Sequence, residues 1–352
     1  MRRITTLLLI NFTLFSFAQD AQFNFSTKHQ KTDTNYIEDF SDKLVIRAFS
    51  KSKTNSLDIR NTITNEHLTY KPNPSSCLGA GFNYNWLGID LAFQLPKTDE
   101  QTEKYGETKS FDFQANMYLR KFSVDLSYVR YKGYYLEDAN DPKNGDTIIK
   151  QPNLRTNNLG VSVNYIFNNK KFSYRAAYLQ NERQRKSAGT FFSGGFVSLT
   201  GLTSDRGLIP PHYVELYPEV AELTRVNSWQ IGGQGGYAHT FIVKHFYLTM
   251  SLGLGLGLEN KKFITKKSRT LISEYGAAPR YQTKGALGYN GDKLSVGIQG
   301  VKDGVFIGGT GKNELTYKFG SFRFFITHRF NAPKPMLFVK RLNPFKQKRK
   351  EL

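Results

Sequence analysis

The feature that most constrains this chain is alternation of apolar and polar residues, sustained over runs of about nine to thirteen positions, because successive strand side chains point to opposite faces. From Phe111 onward, Phe113, Ala115, Met117 and Leu119 share its face, while Asp112, Gln114, Asn116, Tyr118 and Arg120 share the other. The pattern resumes with Phe122, Val124, Leu126 and Tyr128 against Ser123, Asp125 and Ser127, so Lys121 marks a very tight hairpin turn. Residues 78–86, 89–95, 159–167, 172–178, 246–258, 294–299 and 321–330 repeat it. Strands of soluble sandwiches usually have about five or six residues. A tilted strand needs about nine to eleven to cross a bilayer. Here the second face carries glycine, serine, asparagine and charge, as a wet interior inside a lipid-facing wall requires.

Connections alternate in length. Short turns fall near 86–88, Lys121, 168–171, 243–244 and 290–292, and long loops near 96–108, 132–153, 182–226, 259–281 and 302–312. Outer-membrane barrels have short periplasmic turns and longer outer loops. The expected fold is all-β: a single antiparallel transmembrane β-barrel over 43–330, of roughly 12 strands with 10–14 compatible. With both ends of the wall periplasmic, the number must be even. A full strand at 191–201 would turn 202–225 into a long periplasmic loop, so that run is expected inside an outer-loop excursion.

The N-terminus reads Met1-Arg2-Arg3, then an apolar run to Phe17, then Ala18-Gln19-Asp20. Positive charge, a short apolar core and small residues at Ser16 and Ala18 match a secretory signal peptide over 1–18, cleaved after Ala18. Residues 19–42 are then expected as a periplasmic segment, too short for a folded plug domain, and 331–352 as a basic periplasmic tail. Beyond residue 18 no stretch is apolar enough for a spanning helix. The single cysteine, Cys77, excludes an internal disulfide and a thiolate metal cage. The net charge of +20 suggests nucleic acid only until its distribution is considered. The basic residues crowd loops, turns and the tail, so no nucleic-acid partner is expected. The expected partners are outer-membrane lipid and lipopolysaccharide, the barrel-assembly machinery, and a periplasmic partner for the tail.

Charges of both signs fall on inner faces: Arg47, Asp90, Asp112, Arg120, Asp125, Arg175, Arg323 and Arg329. They either pair into a plug or line a narrow polar channel, and small barrels usually fill their lumen. Aromatic residues flank the short turns, namely Trp86, Phe122, Phe167, Phe172, Phe241, Phe246 and Phe330, as an interfacial girdle does. Gly253, Gly255 and Gly257 leave room on an inner face for inserted side chains or a bend. Glu38, Asp39 and Asp42 do not have the spacing of a calcium loop and are expected to pack near basic residues. None of the six histidines has metal-ligand spacing. No catalytic residue, metal or cofactor is expected. The leading expectation is a non-enzymatic barrel for small-solute passage or a structural role. One alternative is a membrane-embedded lipid hydrolase or acyltransferase with His239 as base. Another is a docking platform presenting loop 182–226 and the basic tail.

Four stretches also carry a family likeness: Tyr36-Ile37-Glu38-Asp39 with Asp42-Lys43-Leu44, Tyr70-Lys71-Pro72-Asn73, Lys132-Gly133-Tyr134-Tyr135, and Gln184 to Gly189. Through them residues 36–330 resemble a family of uncharacterised outer-membrane barrels of Bacteroidetes-type bacteria, domain-of-unknown-function family 4421. The resemblance implies a fold and a location; it brings no substrate and no catalytic residues.

Overall fold

The computed structural model describes residues 20–25, 32–85, 87–140, 148–265 and 272–333. The described residues are all-β apart from short helical pieces. The strands are β1 (Asp20–Phe25), β2 (Ile37–Asp39), β3 (Lys43–Asn61), β4 (His67–Lys71), β5 (Ser75–Tyr84), β6 (Leu87–Gln94), β7 (Lys109–Tyr118) and β8 (Phe122–Asn140). They continue with β9 (Ile148–Ile166), β10 (Glu182–Gln184), β11 (Ala188–Thr203), β12 (Leu223–Val243), β13 (Phe246–Thr265), β14 (Ile272–Asn290), β15 (Leu294–Thr310) and β16 (Asn313–Asn331).

One 14-stranded sheet has the order β16-β15-β14-β13-β12-β11-β9-β8-β4-β3-β5-β6-β1-β7. Further β16–β3 and β8–β7 pairings close it into a barrel that is antiparallel except where β1 meets β7. The main closure runs the full length of the wall, from Asn313 opposite Asn61 to Asn331 opposite Lys43. The tight 111–128 hairpin forms as read, with Tyr118 opposite Ser123.

The wall is apolar outside and polar inside. On β13, Leu248, Met250, Leu252, Leu254, Leu256 and Leu258 face outward, between 39% and 71% exposed. Between them Thr249 and Ser251 are buried inward. On β16, Phe322, Phe324, Ile326 and Phe330 face out, while Arg323, Thr327 and Arg329 are buried within. A water-soluble barrel has the reverse polarity, since burying apolar area is what drives its folding. The glycines of β13 face in and make room, as expected. A Cβ on Gly255 or Gly257 would lie 3.0 Å from the inward-pointing ring of Phe196.

Four expectations are corrected. Residues 172–178 are not a wall strand but end in a short helix, Tyr174–Tyr178, with every residue buried in the lumen. The run 191–201 is wall, as part of β11 paired to β9 and β12, and not an outer excursion. Residues 167–187 are therefore a long connection at the end where the other turns are short, and the expected loop 182–226 is divided between plug, strand and inward-folded loop. Finally, residues 20–25 are not free of the wall: β1 lies between β6 and β7, antiparallel to the first and parallel to the second. The signal peptide, Trp86 and the tail from residue 334 lie outside the described residues.

Candidate functional site: the lumen and its two plugs

At the short-turn end, the 168–187 connection enters the barrel. Ser173 caps the helix by accepting from the Ala176 amide at 3.2 Å. Gln180, with φ of 56°, ends it in the left-handed region. The last carbonyls of so short a helix have no intrahelical partners, and here the wall supplies donors. Arg47 Nη2 donates to the Leu179 carbonyl at 2.9 Å, Asn83 Nδ2 to the same oxygen at 3.2 Å, and Gln299 Nε2 to the Ala177 carbonyl at 2.9 Å. Arg329 Nη2 donates to the Gln180 carbonyl at 2.7 Å. The segment is thus held by hydrogen bonds from four consecutive strands, β15, β16, β3 and β5, on one side of the barrel, and the Tyr118 ring of the wall packs against Tyr174 and Tyr178 of the helix.

Glu182 anchors the return of the segment. Its carboxylate accepts from Arg120 and from the Ser173 hydroxyl, and it pairs with Arg175 at 3.0 Å. β10 then pairs with β2. Glu38 on β2 receives Arg183 at 2.5 Å and Arg185 at 3.2 Å, while Asp39 accepts from the Ser41 amide at 2.8 Å. The acidic segment therefore latches the plug through arginines. No group of three or more His, Cys, Asp or Glu able to hold a metal occurs among the described residues. Arg183 also reaches Asp292 in the β14–β15 turn at 2.6 Å, and this hydrogen bond and charge hold the Asp292 carboxyl below the usual range.

Above the plug, the lumen holds a set of ion pairs. Asp90 sits between Arg47 and Arg323, each at 2.8 Å. Lys284 pairs with Asp125 at 2.7 Å, and Arg280 with Asp303 at 2.9 Å, where Gln282 also donates at 2.9 Å. Asp112 has Lys53 at 3.9 Å. A polar cavity of about 40 Å³ lies among Asp125, Ser162, Arg280, Gln282, Lys284 and Asp303. That is room for one or a few waters and no more.

At the long-loop end the lumen turns apolar. Residues from the 204–222 connection fold inward, and Leu208, Ile209, Tyr217 and Val220 join wall residues such as Leu57, Val129 and Tyr317 in one buried cluster. The Tyr70 hydroxyl donates to the Leu208 carbonyl at 2.5 Å. Tyr134, in the same cluster, donates to Asn55 at 2.8 Å and lies 2.6 Å from the Thr156 hydroxyl.

Of the eight charged residues singled out for the lumen, seven are buried inside the barrel and Asp125 is part-buried there against Lys284. Arg175 reaches it from the plug helix and not from a strand. Arg280, Lys284, Asp303 and Glu182 were missed. The inward positions of β14 and β15 continue the period-two pattern through 280, 282, 284 and 303, a signal obscured by assigning 302–312 to a loop. Glu182 offers no local signal.

Of the girdle residues, Phe122, Phe167, Phe241, Phe246 and Phe330 are outward and 41–59% exposed at the short-turn end. Phe172 is corrected: it is 1% exposed and packs in the plug, because its segment leaves the wall. His239 is also outward. Its Nδ1 lies 3.0 Å from the Tyr237 hydroxyl, in place of the serine or carboxylate a hydrolase needs.

A family model described as "Domain of unknown function (DUF4421)" matches residues 31–330. No curated protein matches the sequence significantly. Among solved structures, the outer membrane protease OmpT from Escherichia coli is similar at 9% identity and a TM-score of 0.36, over 85% of this chain and 100% of that one. The translocator domain of the autotransporter NalP from Neisseria meningitidis is similar at 11% identity and a TM-score of 0.31, over 81% and 88%. The toluene transporter TodX from P. putida follows at 8% and 0.24, over 88% and 95%. Scores this low transfer neither activity nor substrate.

Proposed function

The chain belongs to the DUF4421 family, and on that premise we propose that it is a barrel of the bacterial outer membrane whose lumen is closed at rest and whose role is structural. The apolar outer belt, the aromatic band at the short-turn end and the signal-like N-terminus support the location, with short turns in the periplasm and long loops outside. In this reading twelve strands cross: β3, β5 to β9, and β11 to β16, with β1 as an added stave. The observation that carries the closed state is the plug segment, buried in the lumen and held through its backbone carbonyls by donors from three adjacent wall strands, β15, β16 and β3. Solute passage then requires both that segment and the inward-folded 204–222 connection to move.

The hydrolase reading has lost its support at His239. The docking-platform reading loses its outer half, because 182–226 is largely wall and plug.

Planar-bilayer recording tests the closed state. The protein is expected to give no sustained conductance, and a variant in which both residues 172–184 and the inward-folded 204–222 are replaced by short Gly/Asn turns is expected to conduct. A steady open channel in the unmodified protein refutes the proposal.

A further inference from the structure

The outside of the wall near the long-loop end is layered like a lipid headgroup site, and we propose that it binds the phosphorylated glycolipid of the outer leaflet. The inference rests on the reading that this end faces outward from the cell.

Register partners in a sheet point to the same face, so the outward residues of β8, β9, β11, β12 and β13 form rows. Tyr128, Leu159, Leu199 and Trp229 form the lowest of three, continuous with the apolar belt. One outward step higher, Arg130 is opposite Asn157, Gly201 stands between Asn157 and Asn227, and Asn227 is opposite Lys262. A further step brings Lys132, Arg155 and Arg225. An apolar row that ends in Tyr128 and Trp229, then amides flanked by the cations Arg130 and Lys262, then cations thus succeed one another along the membrane normal.

Gly201 keeps the middle open. A Cβ there would lie 2.1 Å from Asn157 Oδ1 and 3.2 Å from Asn227 Oδ1, so both amides lean over the glycine. They border a groove of about 380 Å³ that also includes Leu159, Trp229 and Lys262. Arg130, Lys132, Arg155, Arg225 and Lys262 are all exposed. The three rows contain no acid; Asp205 approaches Arg155 at 3.9 Å from the adjoining loop. Like charges so placed favour an anion, and juxtamembrane Lys and Arg are the residues that attract anionic lipid.

The width of the patch selects the ligand. Arg130 and Lys262 are four strand spacings apart, about 19 Å at about 4.8 Å each. One phosphate reaches cations on two neighbouring strands. An acylated disaccharide carrying a phosphate at each end reaches both sides, with its sugar hydroxyls over Asn157 and Asn227.

The test uses the full-length protein in detergent, titrated with purified bisphosphorylated lipid A or phosphatidylglycerol and followed by native mass spectrometry. Lipid A is expected to bind, at least tenfold more weakly to the Arg225→Gln/Lys262→Gln variant, with binding kept in Arg225→Lys/Lys262→Arg. Lys302→Gln, an exposed cation elsewhere on the wall, should change nothing. Heat-modifiable gel mobility confirms that each variant is folded. Equal binding of phosphatidylglycerol, or an unaffected double variant, overturns the inference and leaves the barrel reading intact. Lys262→Cys in a Cys77→Ser background is expected to react with an impermeant maleimide on intact cells. Protection there overturns the assignment of ends, and this inference with it.

Discussion

Leu254 and Ile63 have nearly the same exposure, 62% and 63%, yet the membrane reading assigns them opposite sensitivities. Leu254 is on the outer face of β13, and Ile63 is in the turn after β3. The outward run from Leu248 to Leu258 covers ten residue steps. At about 3.4 Å per step and a tilt of about 40°, that is about 26 Å along the membrane normal, close to the roughly 25 Å apolar band of such barrels. Leu252 and Leu254 straddle its midplane. Leu254→Arg is therefore expected to cost about 2–4 kcal/mol, a roughly 30- to 700-fold loss in the folding equilibrium. Ile63→Arg should stay within about 0.5 kcal/mol, as for other exposed sites. Urea unfolding from lipid vesicles, followed by tryptophan fluorescence, measures both. In a water-soluble barrel the two changes cost the same. Equal effects would refute the assignment of the β13 outer face to lipid, and with it the placement of the whole wall.

Asp90→Asn removes the carboxylate between Arg47 and Arg323 and should destabilise by about 3–5 kcal/mol, much less in an Arg47→Met/Arg323→Met background; urea midpoints decide. Gly255→Val drives a side chain into Phe196 and Gln234, with an expected cost of about 1–3 kcal/mol by the same assay. Gly285→Val, with nothing within 4 Å of its Cβ, should be tolerated. The lowered pKa of Asp292 implies a contribution present above the usual carboxylate range and lost as pH falls through it. Asp292 is 79% exposed, so Asp292→Asn should cost no more than about 0.5 kcal/mol at neutral pH, vanishing in acid unfolding series.

Alternation alone determined that this chain makes long strands with an apolar and a polar face, because the two-residue period is a local property of an extended backbone. It therefore determined the inverted polarity of the barrel and placed Arg47, Asp90, Asp112, Asp125, Arg323 and Arg329 inside before any neighbour was known. The same local rule failed at 172–178. Phe172, Tyr174, Ala176 and Tyr178 alternate with Ser173 and Arg175, but a segment inside a lumen has no lipid face, and all of these are buried. Alternation there reports no choice between two environments. Demoting 191–201 followed from that error, since parity counts strands and cannot tell which run leaves the wall. Partners were equally hidden. Asp90 meets Arg323 across 233 positions of sequence because β16 closes onto β3 and β5 and β6 follow around the wall. Arg329 meets the Gln180 carbonyl across 149 because the 168–187 connection turns inward. Such pairings depend on closure and on where a connection finds donors for its unpaired carbonyls, and only the assembled barrel decides both.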